Sequence, residues 1–444
     1  MPTQEFLKTL KTAKRAFPST ISSSLNYELT PINTLINSAF DTVSSPHHTI
    51  SSFLSSLSSH QLISFLSDPN VKTYDCLRIF NIVLHNQSDL SFKPDFHAHF
   101  TVICRLIKSR LFSDAEFLLK KLLLGPNYRY PFSDFTSWVE NYCKESKIIT
   151  KLLNMLLKMY SDHHMFDMVI TVFEYMVEKE VERDERTCSV HLYALIKTDK
   201  VDLAFEFFRR MVDSGMEVSV FSLTIVVSGL CDIGELKIAR ELVEEMIKKG
   251  VRPNVVTVNT LIDACSRRWE FEELDVVLCL MEREGIEFND TTYKLLIEGY
   301  SGFGKVDEAR KLLLEMQDKD IEAEVHLYDM VIKGYCRLGD ISSGYALLRK
   351  MQEEDIGPCG DIYTCLIGAM CKFRVMDQVK ELVDELLNNE GGELNDVVLN
   401  ALVDGYQKVG MVDELEEVKR MVKVKCHPDH KSCQDSIDAV LKDW

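Results

Sequence analysis

Eight side chains at fixed spacing carry the strongest chemical signal in the chain. Asn154, Ser189, Thr224, Asn259, Lys294, Asp329, Thr364 and Asn400 follow one another at intervals of 35 residues, with 36 at the last step. Six of the eight are small, uncharged hydrogen-bonding groups. Each sits about one turn inside an amphipathic segment, beyond the reach of a cap. Asn, Ser and Thr are mediocre helix formers there and gain nothing locally. A row of donors and acceptors facing one shared ligand accounts for them. A second row closes each interval: Asp184, Ser219, Asn254, Asn289, Glu324, Cys359, Asn395 and Asp429. Small polar residues just before a helix are N-caps. This row alone therefore says less about a ligand, and the weight falls on residues such as Asn259.

Other chemistry-bearing stretches give way to simpler explanations. Gly299–Lys305 spells GYSGFGK, the G-x-x-x-x-G-K part of a phosphate loop. Val306 stands where a magnesium-binding Ser or Thr belongs, and no buried strand precedes it. Cys426, His427, His430 and Cys433 are crowded, yet their spacing matches no common zinc module. Cys231, Cys336 and Cys371 share one periodic column, which is the pattern of packed helix residues. No paired-carboxylate, Ser/His/Asp or Cys/His arrangement stands out. The expectation is a protein without catalysis, cofactor or metal.

The elements that position the two rows are legible in Val255–Asn289. Val258, Leu261, Ile262 and Cys265 fall on one helical face, and Phe271, Leu274, Leu278 and Met281 on a second. A polar joint at Arg267–Glu270 separates them, and Gly285 closes the unit as a helix-end glycine does. One such hairpin has too little apolar surface to stand alone and needs neighbours. They are present. Units begin at Thr150, Glu185, Val220, Val255, Asp290, Val325, Gly360 and Asp396. A small residue recurs at Ala194, Gly229, Ala264, Gly299, Gly334, Ala369 and Gly405, where helices approach closely. A turn glycine recurs at Gly234, Gly304, Gly339 and Gly410. Methionine recurs at Met176, Met211, Met246, Met281, Met316 and Met351.

Bulk properties bound the rest. The net charge of −18 over 444 residues runs against simple polyanion binding. Thirteen irregularly spaced cysteines point to a reducing compartment rather than a disulfide framework. No apolar run approaches the ~20 residues of a membrane span. Residues 1–60 differ, with a net charge of +1, a basic amphipathic start and serine-rich runs. That is the composition of an organellar transit peptide.

The strings VVTVNTLIDACSRRWEFEELDVVLCLM, TYKLLIEGYSGFGKVDEARKLLLEM and HLYDMVIKGYCRLGDISSGYALLRKM resemble the pentatricopeptide repeat (PPR) family of the plant P-type. The 35-residue period separates it from the tetratricopeptide repeat, whose period is 34. Four parts are expected: a leader over 1–50, degenerate helical repeats over 51–149, eight PPR repeats over 150–429, and a capping helix over 430–444. The resemblance implies an all-α fold, a right-handed α-solenoid superhelix of stacked helix–turn–helix repeats. It implies sequence-specific binding of single-stranded RNA, one base per repeat, in splicing, stabilisation or translation of an organellar transcript. The chain would act as a monomer, outside any membrane, alongside other RNA-processing proteins. The mitochondrion is the expected address and the chloroplast the alternative.

In this family the fifth and last residues of a repeat read one base together. Carried over, Asn154 with Asp184 implies U, Thr224 with Asn254 A, Asn259 with Asn289 a pyrimidine, Thr364 with Asn395 A, and Asn400 with Asp429 U. Ser189 with Ser219, Lys294 with Glu324, and Asp329 with Cys359 depart from the usual pairs and leave their bases open. The second residue tends to sandwich the base, a role that Phe221, Val256 and Val397 suit and Asp361 does not. Arg267, Arg337, Lys372 and Lys408 share a column beside the expected groove, while acids crowd the second helix of each unit. The rival expectation is an acidic helical scaffold that binds protein partners.

Overall fold

The computed structural model describes residues 54, 55, 57–86, 92–124, 131–388 and 396–425. The expected leader, the expected C-terminal helix, Asn395, Asp429 and the Cys426–Cys433 group lie outside them. The described residues form 21 α-helices and no strand. They divide into two compact units, one ending at Asp184 and one beginning at Glu185.

The first unit holds helices Ser59–Ser67, Thr73–His85, Phe96–Lys108, Phe112–Leu124, Phe132–Tyr142, Ser146–Asp162 and Phe166–Glu178. Its sixth helix starts at Ser146, ahead of the periodic frame at Thr150. Where the repeat pattern fades, specific contacts hold the chain. Arg105 donates to the carbonyls of Leu66 (2.9 Å), Asp68 (2.6 Å) and Val71, closing a turn that has no helical partner for those groups. Phe100 packs against Phe135 and Trp138, each with ring centroids 5.3 Å away. The Trp138 indole N–H donates to His97 Nδ1 at 2.8 Å.

The second unit is built of helical hairpins. Their first helices (A) are Glu185–Lys197, Val220–Ile233, Val255–Arg268, Asp290–Phe303, Val325–Leu338, Gly360–Phe373 and Asp396–Val409. Their second helices (B) are Val201–Asp213, Leu236–Lys248, Phe271–Arg283, Val306–Asp318, Ile341–Glu353, Val379–Asn388 and Val412–Lys425. Each A helix packs on its own B helix and on the A helix of the next hairpin, which makes this unit an all-α helical-repeat solenoid.

The period arises from two stops per hairpin. Helix B ends with a left-handed residue, as at Gly215, Gly250, Gly285, Asp320 and Asp355. The next amide then donates back to the methionine carbonyl: Ile286 to Met281 (2.9 Å), Ile321 to Met316 (2.9 Å), Ile356 to Met351 (3.0 Å). This is the hydrogen bond of a Schellman cap. Those methionines are fully buried. Helix A stops the same way, at left-handed Gly234, Trp269, Gly304, Gly339, Arg374 and Gly410. GYSGFGK is therefore the end of one helix and a capped turn. Gly304 (φ +95) is the cap, and a Cβ on Gly299 would lie 2.6 Å from Ser266 Cβ.

In the hairpin Val255–Arg283 the first stripe, Val258, Leu261, Ile262 and Cys265, is buried as its spacing predicts. The second shifts: Leu274, Val277, Leu280 and Met281 are buried, while Phe271 and Leu278 are only half-buried. Helix B contacts two A helices, so its apolar face is wider than a single stripe. The acids of helix B also have partners. Arg209 pairs with Glu245, Arg240 with Glu273, Arg349 with Glu381 and Glu385, and Lys380 with Glu417, each across to the next helix B.

Two tests follow from this packing. The Gly405→Ala methyl would meet Cys371 Cβ at 2.9 Å and backbone Cα at 3.1 Å. The backbone has little room to yield, so we expect a loss of about 1–3 kcal/mol, read as a lower thermal midpoint; an unchanged midpoint would refute the close approach. His191 is buried against Phe207, centroids 4.6 Å apart, and burial lowers it to about 4 from its ordinary 6.5. The unfolded chain takes up that proton first. Its contribution is thus fully present above pH 6.5 and lost as pH falls toward 4. Thermal melts across this window should flatten in His191→Leu relative to the wild-type chain.

Candidate nucleic-acid interface

The fifth residue of each unit projects from the second turn of helix A, and the last residue precedes the next helix A. From Glu185 onward, packing of successive A helices brings the two together. In the unit at Thr150, the Asn154 amide donates to Thr150 O (2.9 Å) and Glu182 O (3.3 Å) and accepts from the Asp184 amide N–H (3.0 Å). At Val255, Asn259 Nδ2 donates to Asn289 Oδ1 at 3.2 Å. At Asp290, Lys294 reaches Glu324 at 2.5 Å, and that bond holds the Glu324 carboxyl below its usual range.

Two further pairs meet through a third group. Thr224 Oγ1 lies 2.8 Å from Thr257 Oγ1, which donates to Asn254 Oδ1 at 3.1 Å. Ser189 and Ser219 both donate to Glu185 Oε1, at 3.1 and 2.5 Å. Asp329 is held by Lys333 at 2.7 Å, and its buried Oδ1 has no hydrogen-bond partner. Thr364 donates to Asp361 O at 3.0 Å, and Asn400 is exposed. Their expected partners Asn395 and Asp429 lie outside the described residues.

The last residues are also caps. Ser219, Asn254 and Asn289 each accept from the amide three residues on. Cys359 and Glu324 make no side-chain cap bond. Beside these pairs stand exposed apolar second residues: Phe221 at 63%, Val256 at 58% and Val397 at 76%. Exposed apolar groups beside a row of polar ones offer stacking surface next to hydrogen-bonding edges.

The sequence pattern did not single out the third residue of helix A. Ser222, Thr257 and Thr292 each reach back to the fifth residue of the preceding unit. Thr292 Oγ1 lies 2.8 Å from Asn259 Oδ1 and 2.9 Å from Asn289 Oδ1. Ser222 Oγ lies 2.6 Å from Ser189 Oγ. These hydroxyls are fully buried and orient the pairs they touch. Their signal in sequence is a column of hydroxyl residues, Thr187, Ser222, Thr257 and Thr292, at 35-residue spacing in the first helical turn. The basic column is less free than its charges suggest. Arg267 pairs with Asp263 (2.7 Å) and Lys408 with Asp404 (2.5 Å).

A solenoid of stacked helical hairpins at a 35-residue period is a helical-repeat protein. Residues 218–267 and 253–302 match the PPR repeat family. Residues 152–181, 192–216, 291–321 and 361–390 match the PPR repeat, and 311–372 match the pentatricopeptide repeat domain. The chain belongs to the pentatricopeptide repeat family. A pentatricopeptide repeat-containing protein of Arabidopsis thaliana is 35% identical over 158 residues, covering 35% of this chain and 25% of that protein. The chain thus spans about a quarter of that relative's length. Among solved structures, the maize pentatricopeptide repeat protein PPR10 is similar with a TM-score of 0.48 at 19% identity, covering 94% of this chain and 55% of that one. Nuclear proteinaceous RNase P 2 of Arabidopsis thaliana is similar with a TM-score of 0.36 at 18% identity, covering 42% of each chain.

The hydroxyl bridge has a measurable energy. Thr292→Val keeps the shape and removes the hydrogen bond to Asn259 Oδ1. We expect a loss of about 1–2 kcal/mol in urea denaturation, with the slope unchanged. A variant as stable as the parent would show that the bridge carries no energy.

Proposed function

We propose that this chain binds a single-stranded RNA of an organelle, one base per repeat, and acts in its splicing, stabilisation or translation without catalysis of its own. The observation that supports this reading best is the pairing of fifth and last residues along the stack. Asn259 meets Asn289 directly and Thr224 meets Asn254 through Thr257, beside the exposed side chains of Val256 and Phe221. Unstacked bases are recognised by that combination of edge contacts and stacking. Membership of the pentatricopeptide repeat family supports it independently. The basic, serine-rich first 60 residues support import, with the mitochondrion as the proposed address and the chloroplast as the alternative.

The acidic charge fits a binder that selects by bases. Few free cations border the polar row, so few phosphates are neutralised and the dependence of affinity on salt should be shallow. Bound tightly, the array would act by occluding or remodelling the RNA.

The proposed tract reads U-?-A-Y-?-?-A-U along the repeats. In a shift assay the full chain should retain this tract and release random RNA of the same length; equal binding to both would sink the proposal. Thr224→Asn should move the preference at the third position from A toward a pyrimidine. An unmoved preference would overturn the register of Thr224 and Asn254.

A further inference from the structure

The second unit of the array carries a pair, Ser189 with Ser219, that departs from the usual combinations. The structure places a third group at its centre. Glu185, the first residue of that helix A, turns its carboxylate between the two serines. Oε1 accepts from Ser219 Oγ (2.5 Å), Ser222 Oγ (2.5 Å), Ser189 Oγ (3.1 Å) and the Ser219 amide (3.2 Å). Ser219 and Ser222, together with Ser189, which shares its one hydrogen among Glu185 O (3.0 Å), Oε1 and Ser222 Oγ, hold the carboxylate between the fifth and last residues of the unit. These bonds also consume hydroxyl hydrogens that the serines would otherwise offer a ligand. Oε2 makes no hydrogen bond among the described residues, and Glu185 is only half-buried. Burial alone would raise the carboxyl, but hydrogen bonds from Ser219, Ser222 and Ser189 outweigh it and hold it below its ordinary value. The site is therefore anionic at neutral pH and purely an acceptor.

We propose that Glu185, rather than Ser189 or Ser219, is the base-reading group of the second repeat, and that it selects guanine. This assignment rests on the RNA-reading function proposed above. A carboxylate rewards donors and penalises acceptors, and charge-assisted bonds are the stronger kind. Guanine alone presents two adjacent donors, N1–H and N2–H, on its Watson–Crick edge. Uracil offers one donor flanked by two carbonyls. Cytosine and adenine each offer one donor beside a ring-nitrogen acceptor. The second residues on either side of the site are Arg186 and Phe221, both exposed. A guanidinium on one face and a phenyl ring on the other suit a stacked purine.

The test uses the full chain and four RNAs, U-N-A-Y-N-N-A-U with A, C, G or U at the second position. Guanine should bind at least about tenfold tighter than uracil, the difference of a single charge-assisted bond. Glu185→Gln, which keeps the shape and brings a donor, should level that preference while leaving the A preference at Thr224 intact. Glu185→Asp, which keeps the charge but withdraws it, should retain the order G over U with a smaller ratio. Circular dichroism and melting confirm that each variant folds. If the tract is bound and adenine is still chosen at the third position, but the second shows no guanine preference or Glu185→Gln keeps one, the Glu185 assignment is wrong and the function stands. If no RNA of the set is preferred over random sequence, both fall together.

Discussion

The left-handed residue that ends each helix sets the phase of everything else in the array. A helix that ran one residue further would rotate the next by about 100° and carry its fifth residue off the common row. The cap prevents this in a defined way. The amide one position past the left-handed residue returns to a carbonyl five residues back, as from Lys305 to Tyr300 and from Ile286 to Met281. Both carbonyl owners lie against the core, so the stop and the packing enforce one another. Eight left-handed residues among the described residues are not glycine, and two that end an A helix show how strong the constraint is. Trp269 and Arg374 take the left-handed conformation without being glycine, at φ of 60° and 61°. A side chain there costs roughly 1–2 kcal/mol, and the stack holds the turn in place regardless.

The acidic composition becomes intelligible once the B helices are seen as a ladder. Arg349 binds Glu385 at 2.6 Å and Glu381 at 3.0 Å on the following helix, and also touches Tyr345 and Gln352. Such half-exposed pairs contribute little one by one, about 0–1 kcal/mol. Their value lies in register: a slipped repeat would set acid against acid. The A helices, which pack more closely, need no such ladder and leave their outer edge to small polar and apolar side chains.

Much of this was open to inspection in the sequence because a repeat makes its own alignment. The period, both helices, the glycine stops and the fifth-residue row all show as columns, and Gly299, Met281 and Asn259 lie where those columns put them. The degenerate first unit was harder. Arg105, which ties Leu66, Asp68 and Val71 together, acts through backbone carbonyls that leave no mark on residue type. The bridging hydroxyls were hidden for another reason. Thr257 and Thr292 sit in the first turn, where a capping role already accounts for a polar residue, and the second role needs the preceding helix to be in place.

Those hydroxyls make three of the polar pairs the joint property of two repeats. Ser222, Thr257 and Thr292 belong to one helix A and hold the fifth residue of the one before it. The column then turns apolar: Leu327, Ile362 and Val398 occupy the same place, all buried. From that point the fifth residues find partners elsewhere. Lys294 takes Glu324, Asp329 takes Lys333 one turn along its own helix, and Thr364 bonds to Asp361 O. The change is coherent. A buried methyl cannot orient an amide, so a small neutral reader beside it would be left with unsatisfied polar atoms, at a cost of about 1–3 kcal/mol each. Lys294 with its own counter-ion and Thr364 bonded to its own backbone avoid that cost, whereas Asp329 keeps one buried oxygen without a partner. The units at Lys294 and Asp329 are thus where the next repeat stopped supplying a hydroxyl.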